Sequence, residues 1–449
     1  MKLLLPALAI CCNAVESFKN KGSANHGEPV FVTNYINKGD IQGGQLAAKV
    51  APIAKVESYA GFFTVDPKYN SSMFFWFFPA ENNPKNAPFI VWLQGGPGSS
   101  SLGGLFEENG PFYVKPKGGL GSRKYYWSQV LNVIYIDNPV GTGFSFTDDD
   151  AGYAKNEVDV GKNLYEAVRQ FFQLFPDYKN NDFFVTGESY AGKYVPALAY
   201  TIHTSNPTAK EKINLKGIAI GNGLCDPENM LDYGDYLFQL GLLDLNGRDQ
   251  FISLQNNVVS LIKEQNYDAA SEANEKLVGG ENTLFNNLTG YEFYFNFLHT
   301  KDYNPNGDFR KYVQKDFVRR TIHVGGLRFQ DGNKVVRKFL KSDVVKSIKP
   351  WFEVLVEKYK ILLYSGQLDI IIPYPMTTNF LNNMKWSGAD EFKQAERKLW
   401  KVNGELAGYS KTAKGLTQVL VRDTGHMVPM DQPLWALDLI SRFTYNKAF

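Results

Sequence analysis

Cysteine is nearly absent: 3 occur in 449 residues, and two of them, Cys11 and Cys12, sit side by side in an N-terminal apolar run. Without that run only Cys225 is left, which excludes a disulfide framework within the chain. There is no His-Glu-x-x-His and no pair of cysteines at ligand spacing, so no metal site is expected. Neither Gly-x-Gly-x-x-Gly nor a glycine-rich loop ending in Gly-Lys-Ser/Thr occurs, and no cofactor is expected. Charge of one sign is missing too: Lys+Arg 48 against Asp+Glu 46 gives a net +2 with no block of like charge. That balance argues against nucleic acid or an anionic membrane as partner. Past the N-terminus no apolar stretch reaches the roughly 18 residues a membrane-spanning helix needs. Repeats and low-complexity tracts are also lacking.

What is present is a large apolar and aromatic content, 44% and 14%, enough for a sizeable core. Lys2, the apolar run Leu3–Cys12 and small residues around Ala14 have the layout of a secretory signal peptide ending near residue 16. Two sequons, at Asn70 and Asn287, are candidate glycan acceptors. Together these lead us to expect a chain of the secretory pathway, lysosomal or secreted, with no membrane span. Cys225 reads as a small buried residue, since no histidine, basic group or helix start surrounds it.

Hydrophobic periodicity predicts an antiparallel pair at Lys55–Thr64 and Ser72–Phe78, then buried strands at Phe89–Leu93, Val133–Ile136 and Phe183–Thr186. Later strands are predicted at Ile213–Ile220, Ile361–Tyr364 and Gln418–Val421. Helical spacing marks Ala154–Phe175, Tyr190–His203, Trp351–Lys358 and Pro433–Tyr445. Alternating strands and helices imply an α/β fold, with a mostly parallel sheet covered on both faces. The stretch 225–350 breaks the rhythm, with helix-like pieces near Gln250–Gln265 and Ala270–Leu277 but no strand between them. We therefore divide the chain into a leader (1–16), a core in two parts (17–224 and 351–449) and an inserted cap (225–350).

Gly187-Glu188-Ser189-Tyr190-Ala191 follows the strand Phe183–Thr186 and precedes a helix. A serine there, two positions from small residues on either side, has the pattern of a nucleophile elbow, a turn too tight for larger side chains. Taken alone, the five residues fit a helix-capping serine equally well. Such elbows go with triads in the order Ser, acid, His, the last two on loops after later strands. Of the 5 histidines, His26 precedes the serine, His203 lies on its helix, and His299 and His323 fall in the insert. Only His426 follows a late strand, in D-T-G-H-M-V-P, and Asp369 ends the strand before it, in Y-S-G-Q-L-D. Asp423, on the histidine's own loop, is the weaker candidate for the acid. Oxyanion donors are expected from Tyr190 N–H and from the glycine loop Gln94-Gly95-Gly96-Pro97-Gly98 after Phe89–Leu93.

W-L-Q-G-G-P-G-S-S-S, G-E-S-Y-A-G-K-Y-V-P, Y-S-G-Q-L-D and G-H-M-V-P, in that order, resemble the serine carboxypeptidase family and most of all its vitellogenic-like branch. The resemblance runs from about residue 50 to the end and implies an α/β-hydrolase fold. It implies Ser189 as nucleophile, His426 as base and then acid, Asp369 as its orienter, and the amides of Gly96 and Tyr190 as the oxyanion hole. It also implies that Gln94, Gly95, Glu108 and Glu188 hold the terminal carboxylate of a peptide or protein substrate. Glu108 is preferred over Glu107 because the family's acid stands two residues before the glycine, here Gly110. Two such acids beside a carboxylate must be protonated in part, which implies a preference for acidic pH. Departures are Gln94 where the family usually has Asn, Ser99 for Cys, Gln367 for Asp, and the missing cap cysteines. Two other readings remain: an acyltransferase or esterase on the same elbow, and a catalytically silent binding partner.

Overall fold

A computed structural model describes residues 26–53 and 56–449. The predicted leader, and Lys55 at the start of the first predicted strand, lie outside the described residues. Among the described residues twelve strands follow one another: β1 Tyr59–Asp66, β2 Ser71–Phe78, β3 Phe89–Leu93, β4 Phe112–Val114, β5 Leu120–Ser122, β6 Asn132–Ile136, β7 Phe183–Glu188, β8 Leu215–Gly221, β9 Lys360–Gly366, β10 Arg397–Val402, β11 Glu405–Ala413 and β12 Leu416–Val421. Ten form one sheet in the order β1-β2-β6-β3-β7-β8-β9-β12-β11-β10, and β4-β5 is a separate hairpin. From β6 to β12 every pairing is parallel, and antiparallel strands close both edges.

The apolar runs explain the layering. Every residue of β2, β3 and β6 is buried, as expected of strands covered on both faces. Side chains alternate across a strand, so Met73, Phe75 and Phe77 join one hydrophobic cluster while Phe74, Trp76 and Phe78 join the other. Phe77 packs against Phe89 at 5.4 Å and Phe171 at 4.9 Å between ring centroids; truncating such a ring to Ala costs about 3–5 kcal/mol. The helix predicted at Ala154–Phe175 spans Glu157–Leu174, started by the Asn156 side chain accepting from Asp159 N–H at 3.0 Å.

The edge pair β10-β11 was not among the predicted strands. Its signal is Asn403-Gly404, with φ of 52° and 85°, the two-residue turn that favours a hairpin. The long excursion between β8 and β9 contributes no strand among the described residues. Its predicted helices become Leu245–Lys263 and Tyr267–Asn274. Phe251, Val258 and Phe285 of this excursion join one core cluster, and Phe309, Tyr312 and Val318 join the other. Cys225 is buried, and burial pushes its thiol far up, away from reactivity. No helix among the described residues is long and apolar enough to cross a membrane.

Parallel strands end on the same edge of a sheet, so the residues after β3, β7, β8, β9 and β12 converge there. Those residues are Gln94, Ser189, Asn222, Asp369 and His426.

Candidate active site

Ser189 sits between β7 and the helix Ala191–Ser205 with φ of 64°, in the left-handed region. Holding a non-glycine residue there costs of order 1–3 kcal/mol. The turn is pinned from both sides: Ser189 N–H donates to Gly221 C=O at 3.0 Å, and Leu224 N–H donates to Ser189 C=O at 3.0 Å. A Cβ on Gly187 would lie 2.6 Å from the Leu93 carbonyl oxygen, so only glycine fits beside β3. Ser189 is half-exposed where its neighbours are buried. The helix is capped at Tyr190 and uses no side-chain cap, which removes the capping role considered for the serine.

The candidate acid and base meet. His426 Nδ1 lies 2.8 Å from Asp369 Oδ2, with both side chains buried. Asp369 also accepts from Asn222 Nδ2 at 2.6 Å and from the N–H groups of Ile371 and Ile372 at 3.0 and 3.2 Å. Four donors on one carboxylate fix its orientation. With Nδ1 turned to Asp369, the buried His426 Nε2 has no hydrogen-bond partner among the described residues. Asp423 is exposed and bonds Gln432 at 3.4 Å, so it is not the acid. His26, His203, His299 and His323 are engaged elsewhere, with Asp316, Tyr359, Tyr303 and the Lys49 carbonyl.

The glycine loop lies against the elbow. A Cβ on Gly95 would be 2.5 Å from Tyr190 N, and Gly96 has φ of 111°. Among the described residues, the N–H groups of Gly95, Gly96 and Tyr190 find no protein acceptor. The Asp137 carboxylate anchors the far end of this loop, accepting from Ser100 Oγ at 2.5 Å and Ser101 N–H at 3.1 Å. Burial pushes Asp137 up to about 7.

Beside the elbow, Gln94 Nε2 donates to Glu108 Oε1 at 3.1 Å and to Glu188 Oε1 at 3.2 Å, while Trp92 Nε1 holds Gln94 Oε1 at 2.9 Å. The longer glutamine stem therefore reaches both acids. Among the described residues, no N–H or hydroxyl group donates to the buried Glu108 Oε2 or Glu188 Oε2. Burial raises Glu188 well above the ordinary carboxyl range, and the negative charges of Glu108 and Asp369 push the same way. Burial also raises Glu108, against its bonds to Glu188 and Gln94. Two carboxyls so placed share a proton rather than ionise together.

Glu107 points elsewhere, accepting from Asn304 Nδ2 at 2.7 Å with Arg310 at 3.9 Å. The two glutamates part because consecutive residues of a helix face different ways; here the helix is a π-helical turn, Gly104–Asn109, a local insertion common at functional sites. Arg123 clamps that turn through the carbonyls of Leu105, Phe106, Gly110 and Phe112. Sequence reasoning did not find Arg123, Asn222 or Asp137. Asn222 stands in a Gly-Asn-Gly at a strand end and Asp137 in an Asp-Asn-Pro after one, both turn signals; nothing local marks Arg123.

A serine elbow after a parallel strand, an acid and a histidine on later loops, and amides aimed at the elbow define a serine-nucleophile enzyme of the α/β-hydrolase fold. Residues 49–446 match the serine carboxypeptidase family. The venom serine carboxypeptidase of Apis mellifera is 53% identical, over 94% of this chain and 92% of that one. The vitellogenic carboxypeptidase of Aedes aegypti is 46% identical, over 94% and 90%. A prohormone-processing carboxypeptidase from Saccharomyces cerevisiae superposes with a TM-score of 0.78 at 25% identity, over 90% of this chain and 96% of that one. The chain belongs to the serine carboxypeptidase family, related to its vitellogenic-like members, and is a serine-type hydrolase acting through a Ser-His-Asp triad.

Proposed function

We propose that the chain releases single amino acids from free peptide C-termini, with Ser189 as nucleophile, His426 as base and Asp369 as its orienter. Ser189 Oγ attacks the last peptide carbonyl and passes its proton to His426 Nε2. The N–H groups of Gly96 and Tyr190 receive the oxyanion. His426 returns the proton to the leaving amine, and water then repeats the sequence on the acyl-enzyme.

The observation that carries this reading is the buried Gln94–Glu108–Glu188 cluster beside the elbow, with two carboxyl oxygens to which no N–H or hydroxyl group donates among the described residues. Protonated in part, the cluster offers donors to a substrate carboxylate, helped by Gly95 N–H. An esterase or acyltransferase on the same elbow has no use for it. Raised carboxyl pKa values favour this donor state at acidic pH, which suits a lysosome-like or acidic extracellular setting. The predicted leader and the exposed sequons at Asn70 and Asn287 are in keeping with the secretory pathway.

The test is mass spectrometry of one peptide, as free acid and as C-terminal amide, incubated at about pH 5 and 7.5, on either side of the reference His pKa. Stepwise shortening of the free acid alone, faster at the lower pH, is expected. Equal cleavage of the amide would remove the carboxylate clamp, and no cleavage of either would refute the activity.

A further inference from the structure

The catalytic imidazole is contacted by a residue from the excursion, Phe295, that the mechanism above does not use. Its carbonyl accepts the His426 backbone N–H at 2.7 Å. Its ring stacks on the imidazole with centroids 4.9 Å apart and planes at 28°. A Cβ on Gly425 would lie 2.2 Å from that same carbonyl, so the histidine loop is glycine there to let the segment approach.

The neighbours of Phe295 hold the other loop. Tyr294 C=O accepts from Ile370 and Ile371 N–H at 3.3 and 3.2 Å, and Phe297 N–H donates to Leu368 C=O at 2.9 Å. The Asn296 side chain reaches Asp431 Oδ2 at 3.4 Å, which also receives Gly425 N–H at 2.7 Å. Four consecutive residues thus join the acid loop to the base loop.

We propose that Tyr294–Phe297 is the brace that aligns the acid–base pair, with Phe295 as the positioning residue for the His426 ring. The reason is geometric. One hydrogen bond from Nδ1 to Asp369 fixes a direction but leaves the ring free to hinge about it, swinging Nε2 off the serine. A flat side chain against the ring face removes that freedom; an aliphatic one fills the space without defining the plane.

This inference rests on His426 being the base, so His426→Ala is measured beside Phe295→Leu, Phe295→Ala and Phe295→Tyr. Each is assayed on one peptide for kcat and KM, for melting temperature, and for the fraction of sites labelled by a fluorophosphonate. Phe295→Leu is expected to lower kcat per folded site roughly 10- to 100-fold with KM within about twofold, as misplacement of a catalytic group does. Phe295→Tyr should restore kcat to within about threefold, since it keeps the ring. Phe295→Ala should lose at least as much as Leu if it folds; the Leu and Tyr variants decide the matter if it does not. Wild-type kcat in Phe295→Leu, with His426→Ala inactive, overturns the brace alone. Full activity in His426→Ala overturns the catalytic reading on which it rests.

Discussion

Ser189 is held where three neighbouring strands of the sheet, β3, β7 and β8, end; His426 and Asp369 are held by a segment from outside the sheet. On the nucleophile side, Gly187 fits against Leu93 and the turn closes onto Gly221 and Leu224. On the acid–base side, Asn222, just after β8, holds the loop after β9, and Tyr294–Phe297 from the excursion joins that loop to the one after β12. Tyr236 Oη adds a bond to Asp369 C=O at 2.7 Å, and Tyr233 Oη one to Ile371 C=O at 2.7 Å. The missing cap disulfides are thus answered in part by hydrogen bonds and shared core: the excursion is tied to the catalytic loops themselves. The sheet alone is enough to present a nucleophile, whereas an aligned proton relay also draws on the excursion.

Removing the nucleophile should have the largest effect. Ser189→Ala is expected to cost on the order of 10⁶ in turnover without unfolding the protein, read by peptide hydrolysis together with circular dichroism. Near-normal turnover would end the assignment. On the relay side, Asp369→Asn should cost about 10⁴, by stabilising the wrong imidazole tautomer. Asn222→Ala, which removes one of four donors to that carboxylate, should cost roughly 10- to 100-fold in kcat. If Asn222→Ala lost as much as Asp369→Asn, the acid would be held by a single contact rather than by several elements.

The carboxyl pair gives a third, smaller effect, on KM rather than kcat. Both acids are raised by burial, so rising pH removes the shared proton and places negative charge beside the substrate carboxylate. KM for free-acid peptides should climb with pH, and Glu188→Gln, which cannot ionise, should flatten that climb. An unchanged profile in Glu188→Gln would take the residue out of the clamp.

The smallest expected effect lies behind the elbow. Glu157 is buried, and burial pushes it up to about 8 against the opposing charge of Lys193. Between the ordinary carboxyl range and about 8 the folded chain holds more protons than the unfolded one, so stability falls as pH rises through that window. Glu157→Gln should reduce the drop in melting temperature between about pH 5 and 8 by roughly 1–3 °C. An identical drop in the variant would place the titrating group elsewhere, Asp137 being the next candidate.

Much of the frame could be read from the chain because its signals are short-range. Apolar runs located β2, β3 and β6, helical spacing located Glu157–Leu174, and Gly187–Ala191 between a strand and a helix located the elbow. The order of serine, acid and histidine selected Asp369 and His426, now 2.8 Å apart. The β10-β11 hairpin carried a readable turn at Asn403-Gly404 that the strand pattern did not use. Spacing says little about the excursion, whose helices are short and whose apolar residues divide between two core clusters.

Sequence by itself determined the hydrolase class, the elbow and the order of the triad, because each depends on residues near one another or on strand order. The resemblance chose Glu108 over Glu107; only the tertiary structure decided that Gln94 bonds both Glu108 and Glu188, with Arg123 clamping the turn that carries Glu108. Only it decided that Asn222 meets Asp369 and Phe295 meets His426. Those contacts join chain segments with no fixed spacing between them, so packing of the whole sheet against the excursion sets them.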